Sequence, residues 1–188
     1  MWGVVAANRN HPQHPLEFEK LKEWVKDCES ILEIGARYGA NLVGMAHAMK
    51  GKRIVSVDWP DKEGWNDPNA GNVLEANVKM LQGEGYDATL IIGDSHSIDV
   101  VQRVRLLAPF DLVFIDGDHS YSGVKQDWEN YGPMGKVVIF HDIMKPHKST
   151  NPGLEVWKLW QEIKVSRETT EFVAPDSPMG LGRVGTAI

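Results

Sequence analysis

The chain of 188 residues predicts an α/β fold built on a parallel sheet, and three observations carry that prediction. Five short apolar runs alternate with segments of helical period, the pattern of parallel strands joined by crossover helices. The first run breaks into a glycine turn between Gly35 and Gly39 and resumes as a helix. The runs also close on acids: Glu33, Asp58, Asp94, Asp116 and Asp142. Open parallel sheets bind ligands at the carboxyl ends of their strands, so acids collected there mark a site.

Each element follows in order. Residues 1–15 carry Trp2, His11, Pro12, His14 and Pro15 without a period and read as an irregular arm over the cleft or a tail. Both histidines precede a proline, which favours a surface loop over a metal site. From Leu16 to Cys28 the apolar residues Leu16, Phe18, Leu21, Trp24 and Val25 recur at mainly helical spacing. Ile31 to Ile34 is the first strand and Ala40 to Met49 the next helix. Arg53 to Asp58 is the second strand, and Trp59 to Gly71, with two prolines and two tryptophans, is a candidate lid. Val73 to Leu81 reads as a helix and Ala88 to Ile92 as the third strand, closing on Gly93, Asp94, Ser95 and His96.

A helix from Ile98 to Leu107 stops before Pro109, and Phe110 to Asp116 is the fourth strand, running into Gly117-Asp118-His119-Ser120-Tyr121. The helix Gly123 to Tyr131 ends at Gly132-Pro133, and Lys136 to Asp142 is the fifth strand. A helix containing Leu154, Val156, Trp157, Trp160 and Ile163 leads to two short runs, Glu171 to Ala174 and Gly180 to Gly185, joined by a loop from Pro175 to Pro178. These read as an antiparallel pair. The expected architecture is therefore a single doubly wound, Rossmann-like domain over 16–188, with five parallel strands and a C-terminal antiparallel hairpin.

Composition narrows the function. A net charge of −6 and a pI near 5.6 disfavour a nucleic-acid partner, which would require a basic face. Hydrophobic residues make up 42% and charged residues 24%, and no apolar run reaches the length of a signal or membrane segment. The lone Cys28 has no intramolecular disulfide partner. A small-molecule enzyme of the cytoplasm, without membrane partner, is the expectation, with homo-oligomerisation left open.

The glycine turn reads E-x-G-x-x-x-G rather than the G-x-G-x-x-G that cradles a pyrophosphate. Glu33 beside it suits a cationic or hydroxyl-bearing ligand. Asp58 lies at the spacing where a carboxylate accepts hydrogen bonds from a ribose diol. The stretch Leu32-Glu33-Ile34-Gly35-Ala36-Arg37-Tyr38-Gly39-Ala40-Asn41 resembles motif I of the class I methyltransferases, which bind S-adenosylmethionine. The resemblance implies that Glu33, Gly35, Ala36, Gly39 and Asn41 surround the methionine part of the cofactor. It places Asp58 and Trp59 at the ribose, Gly93, Asp94 and Ser95 at the adenine, and Asp116 also against the cofactor. Arg37 reads as polar turn residue or solvent-exposed side chain.

The second half, F-I-D-G-D-H-S-Y followed by V-I-F-H-D-I, is similar to metal-assisted small-molecule O-methyltransferases, most closely methyltransferase family 24 and cephalosporin-hydroxylase-like proteins. The resemblance implies the seven-stranded class I methyltransferase fold and a divalent cation, Mg²⁺ or Mn²⁺, on Asp116, His141 and Asp142. Such an ion lowers the pKa of a bound hydroxyl. His141 departs from the acid expected there, which would shift preference toward Mn²⁺ or Fe²⁺ or leave the site without metal. His119 is the expected base, with Asp118 as its rival; otherwise they are a helix cap and a loop residue. His47, His96 and His147 have no comparable constellation, although His96 adjoins the adenine loop. The expected activity is O-methylation of a hydroxylated small molecule such as a sugar or glycosylated metabolite. The alternatives are a metal-independent N-methyltransferase or non-catalytic cofactor-binding protein of the same fold, and an NAD-dependent oxidoreductase.

Overall fold

The computed structural model describes residues 13–60, 69–145 and 153–185. The arm before residue 13, most of the candidate lid (61–68) and His147 lie outside the described residues.

Helix α1 (Pro15–Val25) opens the fold, its first amide capped by the His14 ring. There follow β1 (Ser30–Ile34), α2 (Ala40–Ala48), β2 (Arg53–Asp58), α3 (Ala70–Gly83), β3 (Asp87–Ile92) and α4 (Ile98–Arg105). Then come β4 (Phe110–Ile115), α5 (Tyr121–Tyr131), a 3₁₀ turn (Gly132–Met134), β5 (Gly135–His141), α6 (Val156–Ser166), β6 (Thr169–Phe172) and β7 (Leu181–Gly185). One seven-stranded sheet results, in the order β3-β2-β1-β4-β5-β7-β6. Neighbours among β1 to β5 pair parallel, while β7 pairs antiparallel with both β5 and β6. This is the expected doubly wound sheet with its C-terminal hairpin.

Some boundaries move. The first helix ends at Val25 rather than Cys28, and its buried stripe is Glu17, Leu21 and Val25, four residues apart. Leu16, expected on that stripe, is half exposed. Helix α3 begins at Ala70, so the end of the candidate lid is helical. The sixth strand starts two residues earlier than its apolar run, and Asp116 and Asp142 stand one residue beyond their strands.

Strand alternation divides the core in two. Leu32, Ile34, Val55, Val57 and Val113 face the layer of α4, α5 and α6, where Val104, Tyr131 and Trp160 are buried. Ile31, Ile54, Leu112 and Phe114 face α1, α2 and α3 through Leu21, Leu42 and Leu74. The strand order reverses between β1 and β4, so their loops diverge and leave a crevice at the carboxyl ends.

Candidate active site

The crevice is lined by the turn after β1 (Gly35, Ala36, Arg37, Asn41), the end of β2 (Asp58, Trp59), the loop after β3 (Gly93 to His96), and Asp116 to His119, His141, Asp142 and Met179. All the sequence-predicted residues are there except Glu33 and Gly39.

The turn is built by two backbone constraints. Gly35 has φ +87, and a Cβ there would stand 2.3 Å from the Asp116 carbonyl oxygen. Glycine is therefore required by the close approach of the β4 end. Gly39, with φ +84, begins α2 and packs against Leu74 and Asn77 of α3. At both glycines the space a side chain would take is filled by protein atoms.

Asp58 supports the same turn. Its Oδ2 accepts hydrogen bonds from the amides of Ala36 and Arg37, each at 2.6 Å. Burial raises its pKa, against the lowering effect of these amides. One carboxylate oxygen is thus committed to the loop rather than to a diol. Arg37, at φ 52, is no bystander at the surface: it lines the crevice, its guanidinium over the Tyr38 ring.

Glu33 departs from expectation more strongly. On β1 it is 0% exposed, outside the crevice lining, and pairs in register with Ser56 of β2. Neither carboxyl oxygen has a hydrogen-bond partner among the described residues. Burial, with Asp116 and Asp58 nearby, raises its pKa well above the usual carboxyl range. Burial thus favours its neutral form, which weakens the electrostatic reason for placing it beside the cofactor.

On the adenine side, Asp94 Oδ1 accepts from the His96 amide at 3.0 Å, and Ser95 Oγ donates to Asp127 Oδ1 at 2.8 Å. His96 Nε2 lies 3.2 Å from the same Asp127 oxygen, which raises the His96 pKa against the effect of burial. Asp127, fully buried on α5, was missed at the sequence level. Its signal was present: Val124, Asp127 and Tyr131 form one buried stripe, and an acid on such a stripe needs a partner.

At the other end, Asp116, His119 and Asp142 converge: one ligand atom from each lies within 4.8 Å of the other two. His119 Nε2 is 2.9 Å from Asp142 Oδ2 and 3.5 Å from Asp116 Oδ1. Asp142 adopts φ 60, a left-handed conformation that an aspartate tolerates, at the turn out of β5. Two carboxylates and an imidazole are a donor set that could hold a divalent cation.

This grouping differs from the expected one. His119, expected as the base, sits between the two carboxylates, which push its pKa up to about 10 against the opposing effect of burial. In the metal-free protein the ring therefore holds its proton at pH 7 and is no base, and a cation bound between the carboxylates would take that proton's place. His141, expected as a ligand, approaches from the buried side and is 5% exposed. Its Nδ1 is 3.1 Å from Asp116 Oδ1 and its Nε2 3.6 Å from Glu17 Oε2. Burial works against its charge, but the flanking acids raise its pKa well above the usual histidine range. Asp118 lines the crevice beside this group, with Oδ1 accepting from the Ser120 amide at 2.9 Å. His47 lies apart, paired with Glu84.

Residues 32–143, more than half of the chain, match the methyltransferase domain of family 24. The chain belongs to that family. A protein of Sinorhizobium fredii, y4gI, is 38% identical to this family member over a stretch covering 76% of this chain and 16% of that one. The chain therefore spans less than a fifth of that relative's length. Among solved structures, an O-methyltransferase of Bacillus cereus in complex with S-adenosylhomocysteine aligns with a TM-score of 0.70 and 18% identity, covering 97% of this chain and 87% of that one. TomG of Streptomyces achromogenes, an O-methyltransferase of tomaymycin synthesis in complex with S-adenosylmethionine, gives 0.69 and 15%, with 97% and 86% covered. At such identities the likeness speaks for the fold: this is the class I methyltransferase architecture. No helix among the described residues is long and apolar enough to cross a membrane.

Proposed function

We propose that this methyltransferase transfers the methyl group of S-adenosylmethionine to a hydroxyl of a small polyhydroxylated molecule, a sugar or glycosylated metabolite, with a divalent cation at the acceptor oxygen. The observation that carries the reading is the convergence of Asp116, His119 and Asp142 at one end of a crevice whose other walls are the glycine turn and Asp58. The Bacillus and Streptomyces proteins, O-methyltransferases bound to the product and substrate forms of this cofactor, support it. Family membership weighs against the nicotinamide reading.

In this reading Asp58 takes the ribose through its Oδ1, the oxygen not engaged by the Ala36 and Arg37 amides. Asp94 and Ser95 read the adenine, and Ser95 is steadied by Asp127. Asp116, His119 and Asp142 would hold the cation, and the oxygen-rich set suits Mn²⁺ or Mg²⁺. A cation held there would supply Lewis acidity, lowering the pKa of the acceptor hydroxyl. Asp118 takes the proton, a role transferred from His119 because His119 belongs to the donor set. The acceptor oxygen then forms its bond to the methyl carbon as the bond to sulfur breaks, and S-adenosylhomocysteine leaves.

The test uses labelled S-adenosylmethionine with a panel of sugars, catechols and glycosides. Chelator should abolish transfer, added Mn²⁺ or Mg²⁺ should restore it, and cofactor binding by calorimetry should survive. A rate indifferent to chelator removes the cation from the mechanism.

A further inference from the structure

We propose that Glu17 is a positioning residue for this site: through His141 it sets the Asp116 carboxylate, and through its second oxygen it ties that group to the loop before β7. The proposal rests on the cation reading above.

Three side chains from distant parts of the chain stand in a row. Glu17 lies on the buried stripe of α1, where Leu21 and Val25 follow it at helical spacing. An acid in that place is costly unless it meets partners. Its Oε1 accepts from the Gly180 amide at 3.0 Å. Its Oε2 has no hydrogen-bond partner among the described residues, and neither has His141 Nε2. These two buried atoms face one another across 3.6 Å. The opposite ring nitrogen of His141 is 3.1 Å from Asp116 Oδ1 and 3.7 Å from Asp142 Oδ2. The imidazole is thereby fixed between α1 and two members of the donor set, and cannot turn without releasing one side.

The second oxygen extends the link. Gly180 follows Met179, which lines the crevice and whose carbonyl accepts from the Met144 amide at 2.9 Å. The same carboxylate therefore holds a wall of the crevice and the support of a donor. Groups behind a metal ligand fix its orientation, and losing them weakens metal affinity by about 10- to 100-fold.

The experiment follows Mn²⁺ binding to the full chain by the electron paramagnetic resonance of the free ion, beside calorimetric binding of S-adenosylhomocysteine. Glu17→Gln keeps an acceptor for the Gly180 amide while losing the charge toward His141. It should lower Mn²⁺ affinity by about 10- to 100-fold and leave S-adenosylhomocysteine binding unaffected. His141→Gln should lose a similar amount, and the double variant no more than His141→Gln alone, because the two act in series. Should Glu17→Gln fail to fold, Glu17→Asp, which keeps the charge but withdraws it by one methylene, takes its place in the comparison. Wild-type binding with an undiminished Glu17 variant, or losses that add in the double variant, overturns the proposal. A wild-type chain that binds no Mn²⁺ overturns it together with the cation reading.

Discussion

The amide of Arg37 donates a 2.6 Å hydrogen bond to the carboxylate of Asp58, so the acid ending the second strand holds the glycine turn that follows the first. The Ala36 amide shares the same oxygen. Asp58 was read from sequence as a ribose ligand, and the structure gives it a prior task within the protein. Asp58→Ala should then damage two properties at once. Cofactor affinity should fall by about 1–3 kcal/mol, and the two orphaned amides should lower stability by a similar amount. Calorimetry and urea unfolding measure the two separately. A loss of affinity with unchanged stability would leave the turn independent of Asp58.

The turn itself should not tolerate a side chain. Gly35→Ala places a methyl group 2.3 Å from the Asp116 carbonyl oxygen at a φ of +87. The combination of strain and overlap should cost about 3–5 kcal/mol, read as a lower urea midpoint at unchanged slope. Gly83→Ala, in a helix with open space around it, serves as the contrasting variant and should be neutral or stabilising.

Glu33 makes stability depend on pH. Its folded pKa is raised above the ordinary 4.5, so the folded protein retains a proton that the unfolded chain releases. The stabilisation from that proton is complete below pH 4.5 and is lost as pH rises toward the folded pKa. Within this window the wild type should lose about 1.4 kcal/mol per pH unit relative to Glu33→Gln, which cannot ionise. Unfolding free energies of the two proteins, followed upward from pH 4.5, should diverge accordingly. Parallel curves would mean that Glu33 is ionised in the folded state.

Asp118 and His119 should separate by measurement. Asp118→Asn retains an acceptor for the Ser120 amide and should lower turnover by a factor of about 10²–10⁴ with Mn²⁺ affinity intact, as for a lost general base. His119→Ala should lose Mn²⁺ affinity. If His119→Ala binds Mn²⁺ normally and only turnover falls, the base is His119 after all.

The sequence by itself determined the strands, their order along the chain and the acids at their ends, because alternation of apolar runs with helical periods is local information. It also determined the family through the two motifs around Gly35 and Asp116. Which side chains share a site was decided by the tertiary structure. Strand periodicity leaves Glu33 at a strand end but does not reveal that its carboxyl turns inward against Ser56, nor that Gly35 is demanded by the β4 backbone. Spacing puts His119 three residues from Asp116 and His141 beside Asp142. Only the packing of β4 against β5 puts His119 on the open side of the two carboxylates and His141 on the closed side, against Glu17. Glu17 and Asp127 were legible only as acids on buried stripes, since their partners lie on other elements. The physical reason is common to the buried polar residues among them: hydrophobic pattern fixes each element's faces, whereas the partner of a buried polar group depends on which elements fold against it.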